Sequence, residues 1–429
     1  MSKHPLKTLA TIAALSAYSF TAQAIEPTMI LIGGSLNENS DIMSRMVDLA
    51  GGTNGRIGII TAGSYPYESD CLEYGTSTDG GCNDPTVSNS KMNGEYYVDL
   101  FQSWGIDAEW IPIDTDWADN ANDPDVLNQM AGMTAYFFGG GDQRRYLESM
   151  MNGSQDSDAL ALIRQDFTTG HAMIAGTSAG AAVMSDVMIT GGTSYNALRY
   201  GAYLEGQQVD ADDLAYTQPG FNLFPYGLVD THFSARGRAG RIIELAMETQ
   251  VPVAYGIDEE TALVIEGVGQ SSVEMEVLGL YGVHRFDTSQ ARWGNSSYYE
   301  LYDVTWTHAT RDETMNSATG ALDASRSTTN ESGSASGSRD VFSVSTPREL
   351  ANMGMDLALS TETWTTGKTS QRRPEYEVRL FKDTDFQSYG NGFPGFEQMR
   401  LDIYNNRITP EALPGQDSGG GGCKGKGCK

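Results

Sequence analysis

The feature that most constrains this chain is a short apolar run that leads directly into a serine bracketed by glycines. Residues 172–175 are apolar, Gly176-Thr177-Ser178-Ala179-Gly180 follows, and small residues continue to position 182. Continuous apolar character predicts a strand buried on both faces, and the glycines permit a sharp turn from that strand into a helix. Such a turn would expose the serine hydroxyl beside the free N–H groups of a helix N-terminus. The pattern therefore indicates a nucleophilic serine, although a chain with 49 glycines can also contain it as a structural turn.

The remainder of the first half repeats an alternation of buried strands and amphipathic helices. This alternation predicts an α/β fold with a doubly wound, mainly parallel sheet and helices on both faces. Ligands bind outside the carboxyl ends of such strands, where the glycine loops after Phe138 and Ala175 both emerge. Further predicted strands cover 29–34, 56–60 and 135–138, and predicted helices cover 42–50, 97–104 and 144–151.

The amino terminus has the pattern of a secretory signal peptide. Lys3 and Lys7 precede an apolar run, and Ala22-Gln23-Ala24 follows it. This predicts cleavage after Ala24 and an exported protein, extracellular or periplasmic. The run is too short for a stable membrane span, and no other uninterrupted apolar stretch reaches about 18 residues.

Composition divides the chain into four predicted parts. Residues 1–24 are the signal peptide, and residues 25–283 are the α/β catalytic domain. Residues 284–410 contain further strand-like runs and predict a small β-rich C-terminal appendage. Residues 411–429 form a flexible tail rich in glycine, lysine and cysteine.

A serine hydroxyl needs a base, and the base needs an orienting partner. Of the five histidines, His232 lies where an apolar segment ends and an arginine-rich segment begins, so it is the candidate base. Asp258, Glu259 and Glu260 stand together between two apolar strands and supply the candidate carboxylate. From these residues alone the choice among the three is open, and an acidic hairpin turn accounts for them equally well.

Chain order helps to distinguish this arrangement from an α/β-hydrolase, in which the acid precedes the histidine. A hydrolase of that kind would have to use His284 or His308 here. Neither follows a strand and a small-residue loop as His232 does. A secreted esterase is therefore disfavoured and stays an alternative.

Four blocks together resemble the cyanophycinases, which belong with the aspartyl dipeptidases (peptidase E) and share a fold with the class I glutamine amidotransferases. The resemblance covers residues 27–266. The chain departs from the family pattern at Thr231, at Tyr255 and in the long spacer 185–229. The four blocks are 136–143, Gly176-Thr177-Ser178-Ala179-Gly180-Ala181, 230–241 and 256–262.

This resemblance implies a role for each matching residue. Ser178 would be the nucleophile, His232 the general base and then acid, and Glu259 the orienting carboxylate. The backbone N–H groups of Ala179 and Gly140 would form the oxyanion hole. The substrate contacts would be Gln143, Arg236, Arg238 and Arg241. For the arginines, a solvated helix face is the alternative.

The implied reaction is hydrolysis of multi-L-arginyl-poly-L-aspartate to β-Asp-Arg dipeptides through an acyl-enzyme. No cofactor or metal is expected, and a homodimer is left open. The formal charge of −28 becomes −30 after removal of residues 1–24, which contain two lysines and no acid. Such a charge argues against nucleic-acid and anionic membrane partners. The alternatives are an aspartyl dipeptidase acting on soluble peptides and a non-catalytic surface binding protein.

Four cysteines in an exported chain suggest two disulfides. Cys71 would pair with Cys82, and Cys423 with Cys428, while other pairings stay open.

Overall fold

The computed structural model describes residues 26–36, 39–65, 89–204, 214–217, 220–294, 298–324 and 326–405. The predicted signal peptide, the predicted tail and all four cysteines lie outside these ranges. Secretion and the two disulfides therefore stay predictions. Within the described ranges, no helix is both long enough and apolar enough to span a membrane.

The described elements comprise strands of very different lengths and nine α-helices. The strands are β1 (Thr28–Ile32), β2 (Arg56–Ile60), β3 (Asp107–Trp110), β4 (Ala135–Phe138), β5 (Met151–Asn152), β6 (Gln155–Asp156), β7 (Met173–Thr177), β8 (Met188–Ile189), β9 (Ala202–Leu204), β10 (Leu214–Thr217), β11 (Leu228–Asp230), β12 (Val253–Ile257), β13 (Thr261–Glu266), β14 (Glu274–Gly279), β15 (Gly282–Asp287), β16 (Arg292–Trp293), β17 (Leu301–Thr310), β18 (Glu313–Asn316), β19 (Leu322–Ala324), β20 (Trp364–Lys368), β21 (Tyr376–Tyr389) and β22 (Gly395–Asn405). The helices are α1 (Ser40–Leu49), α2 (Asn89–Ser103), α3 (Pro124–Met130), α4 (Gln143–Met150), α5 (Asp158–Thr168), α6 (Ala179–Ala182), α7 (Ser194–Tyr200), α8 (Ala239–Thr249) and α9 (Glu349–Leu359).

The larger sheet has nine strands in the order β19-β18-β14-β13-β1-β7-β4-β2-β3. Its centre, β1-β7-β4-β2-β3, is entirely parallel, and β13 pairs antiparallel with β1. Successive residues of β1 enter different cores: Met29 packs in a core with α3, α4 and α5, and Ile30 in a core with α1 and α2. Helices therefore cover both faces, which confirms the predicted α/β class.

A second sheet joins the two halves of the chain. Its order is β11-β12-β15-β17-β22-β21-β20, with β16 paired to β17. The segment after residue 283 is β-rich, as expected, but it does not stand apart. Strand β15 runs across that position, and β18 and β19 extend the larger sheet. The long apolar strands of the C-terminal segment thus bury their faces against the catalytic half.

Tyr255, where the chain departs from the pattern of the cyanophycinases that it resembles, contacts the C-terminal segment. Its side chain is fully buried on β12, and its hydroxyl donates to the Ser317 carbonyl at 3.3 Å. A smaller residue would leave this contact with the C-terminal segment unmade.

Candidate active site

Ser178 lies in a strained turn between β7 and α6. Its backbone has φ 53° and ψ −116°, a positive φ that is uncommon for a residue with a side chain. The flanking glycines are required by close packing: a Cβ on Gly176 would lie 2.2 Å from the Gly180 carbonyl oxygen, and one on Gly180 would lie 2.2 Å from that of Phe138. The turn therefore places the serine hydroxyl at the carboxyl end of the sheet, as the sequence pattern predicts.

The structure brings Ser178, His232 and Glu259 together. Ser178 Oγ lies 2.8 Å from His232 Nε2, and His232 Nδ1 lies 2.7 Å from Glu259 Oε1. With Nδ1–H donating to the carboxylate, Nε2 is left to accept the hydroxyl proton. This is the geometry that a general base for a serine nucleophile requires.

The tertiary structure distinguishes Glu259 from its two acidic neighbours. Asp258 points away into a buried cluster, with its side chain 1% exposed. Glu260 has a positive φ of 52°, and its backbone N–H donates to the Gly34 carbonyl at 2.9 Å. Only Glu259 among the three bonds to His232.

The loop after β1 holds all three segments of this relay and was not assigned a role from the sequence. The consecutive carbonyls of Ile32, Gly33 and Gly34 accept from the N–H groups of Ser178 (3.0 Å), His232 (2.7 Å) and Glu260 (2.9 Å), respectively. Gly34 also lies under the imidazole, since a Cβ there would be 2.2 Å from His232 Cε1. The sequence signal for this loop was Gly33-Gly34, which directly follows the apolar run of β1.

The surroundings of His232 lower the pKa of its imidazole. Burial lowers the pKa of His232 below its ordinary value, the hydrogen bond to Glu259 opposes that shift, and the cations Arg236 and Arg238 lower the pKa further. Because the pKa is lowered, the imidazole is neutral at neutral pH and can accept a proton.

The predicted oxyanion donors lie beside the nucleophile. The N–H of Ala179 begins α6, so it has no acceptor within that helix. Gly140 faces Ser178, because a Cβ on it would be 3.9 Å from Ser178 Oγ. The preceding Gly139 carbonyl is held by the buried hydroxyl of Tyr146 at 2.8 Å.

Two of the three predicted substrate arginines are held by a buried aspartate. Asp230 Oδ1 accepts from Arg238 at 3.0 Å and from Arg241 at 2.7 Å, and Arg241 is 4% exposed. Burial alone would raise the pKa of Asp230, but the charges of Arg241 and Arg238 outweigh it and hold that pKa low. Arg238 and Arg241 are therefore not a solvated helix face.

Arg236 differs, because it is exposed and its guanidinium makes no ion pair or hydrogen bond with the described part of the chain. It lines the same pocket of about 330 Å³ as Ser178 and His232. Gln143 also lines this pocket, with Nε2 donating to the Ile189 carbonyl at 2.5 Å. Arg238 and Arg241 line this pocket as well, but both are paired with Asp230.

Beside the relay, Asp258 belongs to a second polar cluster. Its oxygens accept from the Ser234 N–H at 2.8 Å and from Arg348 Nη1 at 2.9 Å, and His284 Nε2 lies 3.4 Å away. Burial would raise the pKa of Asp258, but the interactions with His284 and Arg348 outweigh it and hold the pKa well below its usual range. The carboxylate stays ionised and paired.

This cluster is not a second catalytic triad. Ser234 Oγ lies 3.0 Å from His284 Nε2, so serine and aspartate share one ring nitrogen. The other nitrogen, Nδ1, accepts from the Trp306 indole at 3.3 Å. An indole N–H only donates, so Nδ1 is unprotonated and no carboxylate orients it. His284 and His308 are both buried, and Ser178 is hydrogen-bonded to His232 instead. Neither of the two histidines that an α/β-hydrolase order would require therefore serves as a base for Ser178.

Comparison with known proteins agrees with this geometry. Residues 85–273, which contain Gly140, Ser178, His232 and Glu259, match the model of peptidase family S51. A cyanophycinase from Geminocystis herdmanii is 28% identical over 259 residues, which are 60% of this chain and 79% of that protein.

Two further cyanophycinases show similar levels of likeness. The protein from Synechococcus elongatus is 27% identical over 64% of this chain and 72% of its own length. The protein from Trichormus variabilis is 26% identical over 68% of this chain and 84% of its own length. Together with the serine relay, the match to the S51 model and the likeness to these cyanophycinases support a serine-type peptidase of the cyanophycinase and peptidase E kind.

Proposed function

We propose that this protein hydrolyses cyanophycin, multi-L-arginyl-poly-L-aspartate, to β-Asp-Arg dipeptides through an acyl-enzyme on Ser178. The observation that carries the proposal is the relay from Ser178 Oγ through His232 to Glu259, with distances of 2.8 and 2.7 Å. The names of the curated relatives supply the substrate.

In the proposed first half-reaction, His232 Nε2 takes the hydroxyl proton while Ser178 Oγ attacks the aspartyl backbone carbonyl. The resulting oxyanion accepts hydrogen bonds from the N–H groups of Ala179 and Gly140. His232 Nε2 then gives its proton to the leaving amine, and the peptide C–N bond breaks. Glu259 holds the imidazole in the required tautomer and stabilises the imidazolium.

In the second half-reaction, water attacks the acyl-enzyme and gives a proton to His232 Nε2. Collapse of the tetrahedral adduct breaks the bond to Ser178 Oγ, which recovers that proton. The products are a carboxylic acid and free enzyme, so the protons balance without a cofactor.

The charges around the pocket support an arginyl-aspartate substrate. Arg236 lines the pocket with a guanidinium that the described part of the chain leaves without an ion pair, which suits a substrate carboxylate. The whole chain carries −28, which favours approach of a polymer bearing guanidinium groups.

We further propose that the protein acts outside the cytoplasm. Lys3, Lys7 and the apolar run that ends at Ala22-Gln23-Ala24 support an exported form. Amino-terminal sequencing of protein recovered from outside the cytoplasm should begin at Ile25.

The principal test is incubation of purified enzyme with cyanophycin and identification of the products by mass. β-Asp-Arg should accumulate, a sulfonyl fluoride should label Ser178 and stop turnover, and EDTA should have no effect. An aspartyl dipeptidase would instead cleave short aspartyl peptides and leave the polymer intact. An unlabelled serine together with an intact polymer would favour a binding protein.

A further inference from the structure

A second cleft adjoins the catalytic pocket and has no part in the mechanism above. Its volume is about 820 Å³, and it shares Gly191, Arg236, Arg238 and Arg241 with the pocket around Ser178. One wall comes from the loop before α7, and the opposite wall comes from residues 340–345. These latter residues lie beyond the range 85–273 that matches the family model.

The 340–345 wall is anchored within the C-terminal segment and also against the catalytic half. The N–H of Val341 donates to the Lys368 carbonyl at 2.9 Å. The Phe342 carbonyl packs so closely on Gly237 that a Cβ on this glycine would lie 2.4 Å from it. Gly237 follows Arg236 directly, so the wall is held against the segment that borders the catalytic pocket.

Opposite charges line this cleft. Arg236 contributes a guanidinium from the catalytic half that makes no ion pair or hydrogen bond with any described residue. Asp340 contributes a half-buried carboxylate from the wall, with Oδ1 accepting from the Ser370 N–H at 3.2 Å. Val344 adds an apolar side chain that is 67% exposed. Each β-Asp-Arg unit carries a guanidinium, a carboxylate and an aliphatic stem between them, so its chemistry complements all three groups.

The volume of the catalytic pocket also favours binding of further substrate units in the adjoining cleft. The catalytic pocket, about 330 Å³, is at the lower end of the range for small-ligand sites. A polymer with a large side chain on every backbone residue must place its further units beyond that pocket, and the adjoining cleft is open to them.

We propose that this cleft is a subsite for the third and later β-Asp-Arg units of a bound chain, in which Asp340 binds a guanidinium and Arg236 a carboxylate. This inference rests on the proposed function. It makes the 340–345 wall a determinant of preference for polymer over short substrates.

The test compares kcat/KM on cyanophycin with kcat/KM on a two-unit substrate, (β-Asp-Arg)₂, which has one scissile backbone bond and no third unit to place in the cleft. Asp340→Asn keeps the acceptor for the Ser370 N–H but loses the charge. It should lower kcat/KM on the polymer roughly fivefold to tenfold and change the two-unit value by less than about twofold.

Val344→Trp is a second variant, at an exposed position where a larger side chain narrows the cleft without disturbing the core. It should show the same selective loss. Asp385→Asn, at an exposed aspartate of the same C-terminal segment, is the matched control and should change neither value.

Equal losses on both substrates, or no loss on the polymer, would overturn the subsite while leaving the proposed function standing. A wild-type enzyme that cleaves neither substrate would overturn the proposed function, and the subsite with it.

Discussion

Arg348, at the start of α9, donates from Nη1 to Asp258 Oδ2 at 2.9 Å, and its backbone N–H donates to the Ser234 carbonyl at 2.9 Å. Asp258 is the residue before Glu259, and Ser234 follows His232 by two positions. One arginine from the C-terminal segment thus contacts both loops that carry the base and its carboxylate. The C-terminal segment supports the relay, in addition to extending the sheets.

We expect Arg348→Met to destabilise the protein, because the charged and buried Asp258 loses the guanidinium that donates to its Oδ2. The free energy of unfolding should fall by about 2–4 kcal/mol, measured by denaturant titration. Arg339→Met, at an exposed arginine nearby in the chain, should change it by less than about 0.5 kcal/mol. Equal stability of the two variants would show that the Arg348 contacts are not important for the fold.

The relay itself predicts a graded series of losses. Ser178→Ala and His232→Ala should each lower kcat by about 10⁴ or more. The members of such a relay act as a unit, so loss of either one removes most of its contribution to the rate. Glu259→Gln should cause a large but smaller loss, since the imidazole loses its charged partner. Circular dichroism should show an intact fold in each case.

Glu260→Gln is the matched control for Glu259→Gln, because the side chain of Glu260 does not contact His232 and its backbone contact to Gly34 persists. It should retain nearly full kcat. A greater loss in this variant than in Glu259→Gln would mean that the neighbouring carboxylate orients the base.

The acidic limb of the pH profile should lie below the ordinary histidine range. Because burial and the adjacent arginines lower the pKa of His232, kcat/KM should stay level as pH falls from neutrality and drop only below about 6.5. Removing one cation with Arg236→Gln should raise this pKa and move the limb to higher pH. Arg311→Gln, at an exposed arginine paired with Asp41, should leave the limb unchanged.

Two substitutions, Gly34→Ala and Gly52→Ala, distinguish the effect of backbone strain alone from the effect of displacing the His232 imidazole. Gly34→Ala would press a methyl group into the His232 ring, so kcat should fall by about 10² through misplacement of the imidazole. Gly52→Ala also places an alanine at a positive φ, 60° against 105° at Gly34, but there is open space around its Cβ. It should cost only about 1 kcal/mol of stability and leave kcat unchanged. Similar kcat values for the two variants would contradict the role given to Gly34.

Local pattern was sufficient to predict the central strands of the larger sheet and the turn that carries Ser178. Strands β2 and β4 coincide with the predicted runs at 56–60 and 135–138, because a strand buried on both faces must be continuously apolar. The turn at Ser178 could be predicted for a similar reason, since only glycine fits the close contacts on either side of it.

What local pattern did not contain was the direction of each polar side chain. The three adjacent acids 258–260 have similar chemistry, and only the folded loops direct Glu259 to His232 and Asp258 to Arg348. Likewise, the arginine-rich segment did not show that Asp230 binds Arg238 and Arg241 while Arg236 has no such partner among the described residues. These pairings depend on strands that are distant in sequence and adjacent in the sheets. The sequence by itself therefore determined the fold class and the candidate nucleophile, and only tertiary contact decided which charged groups pair with one another.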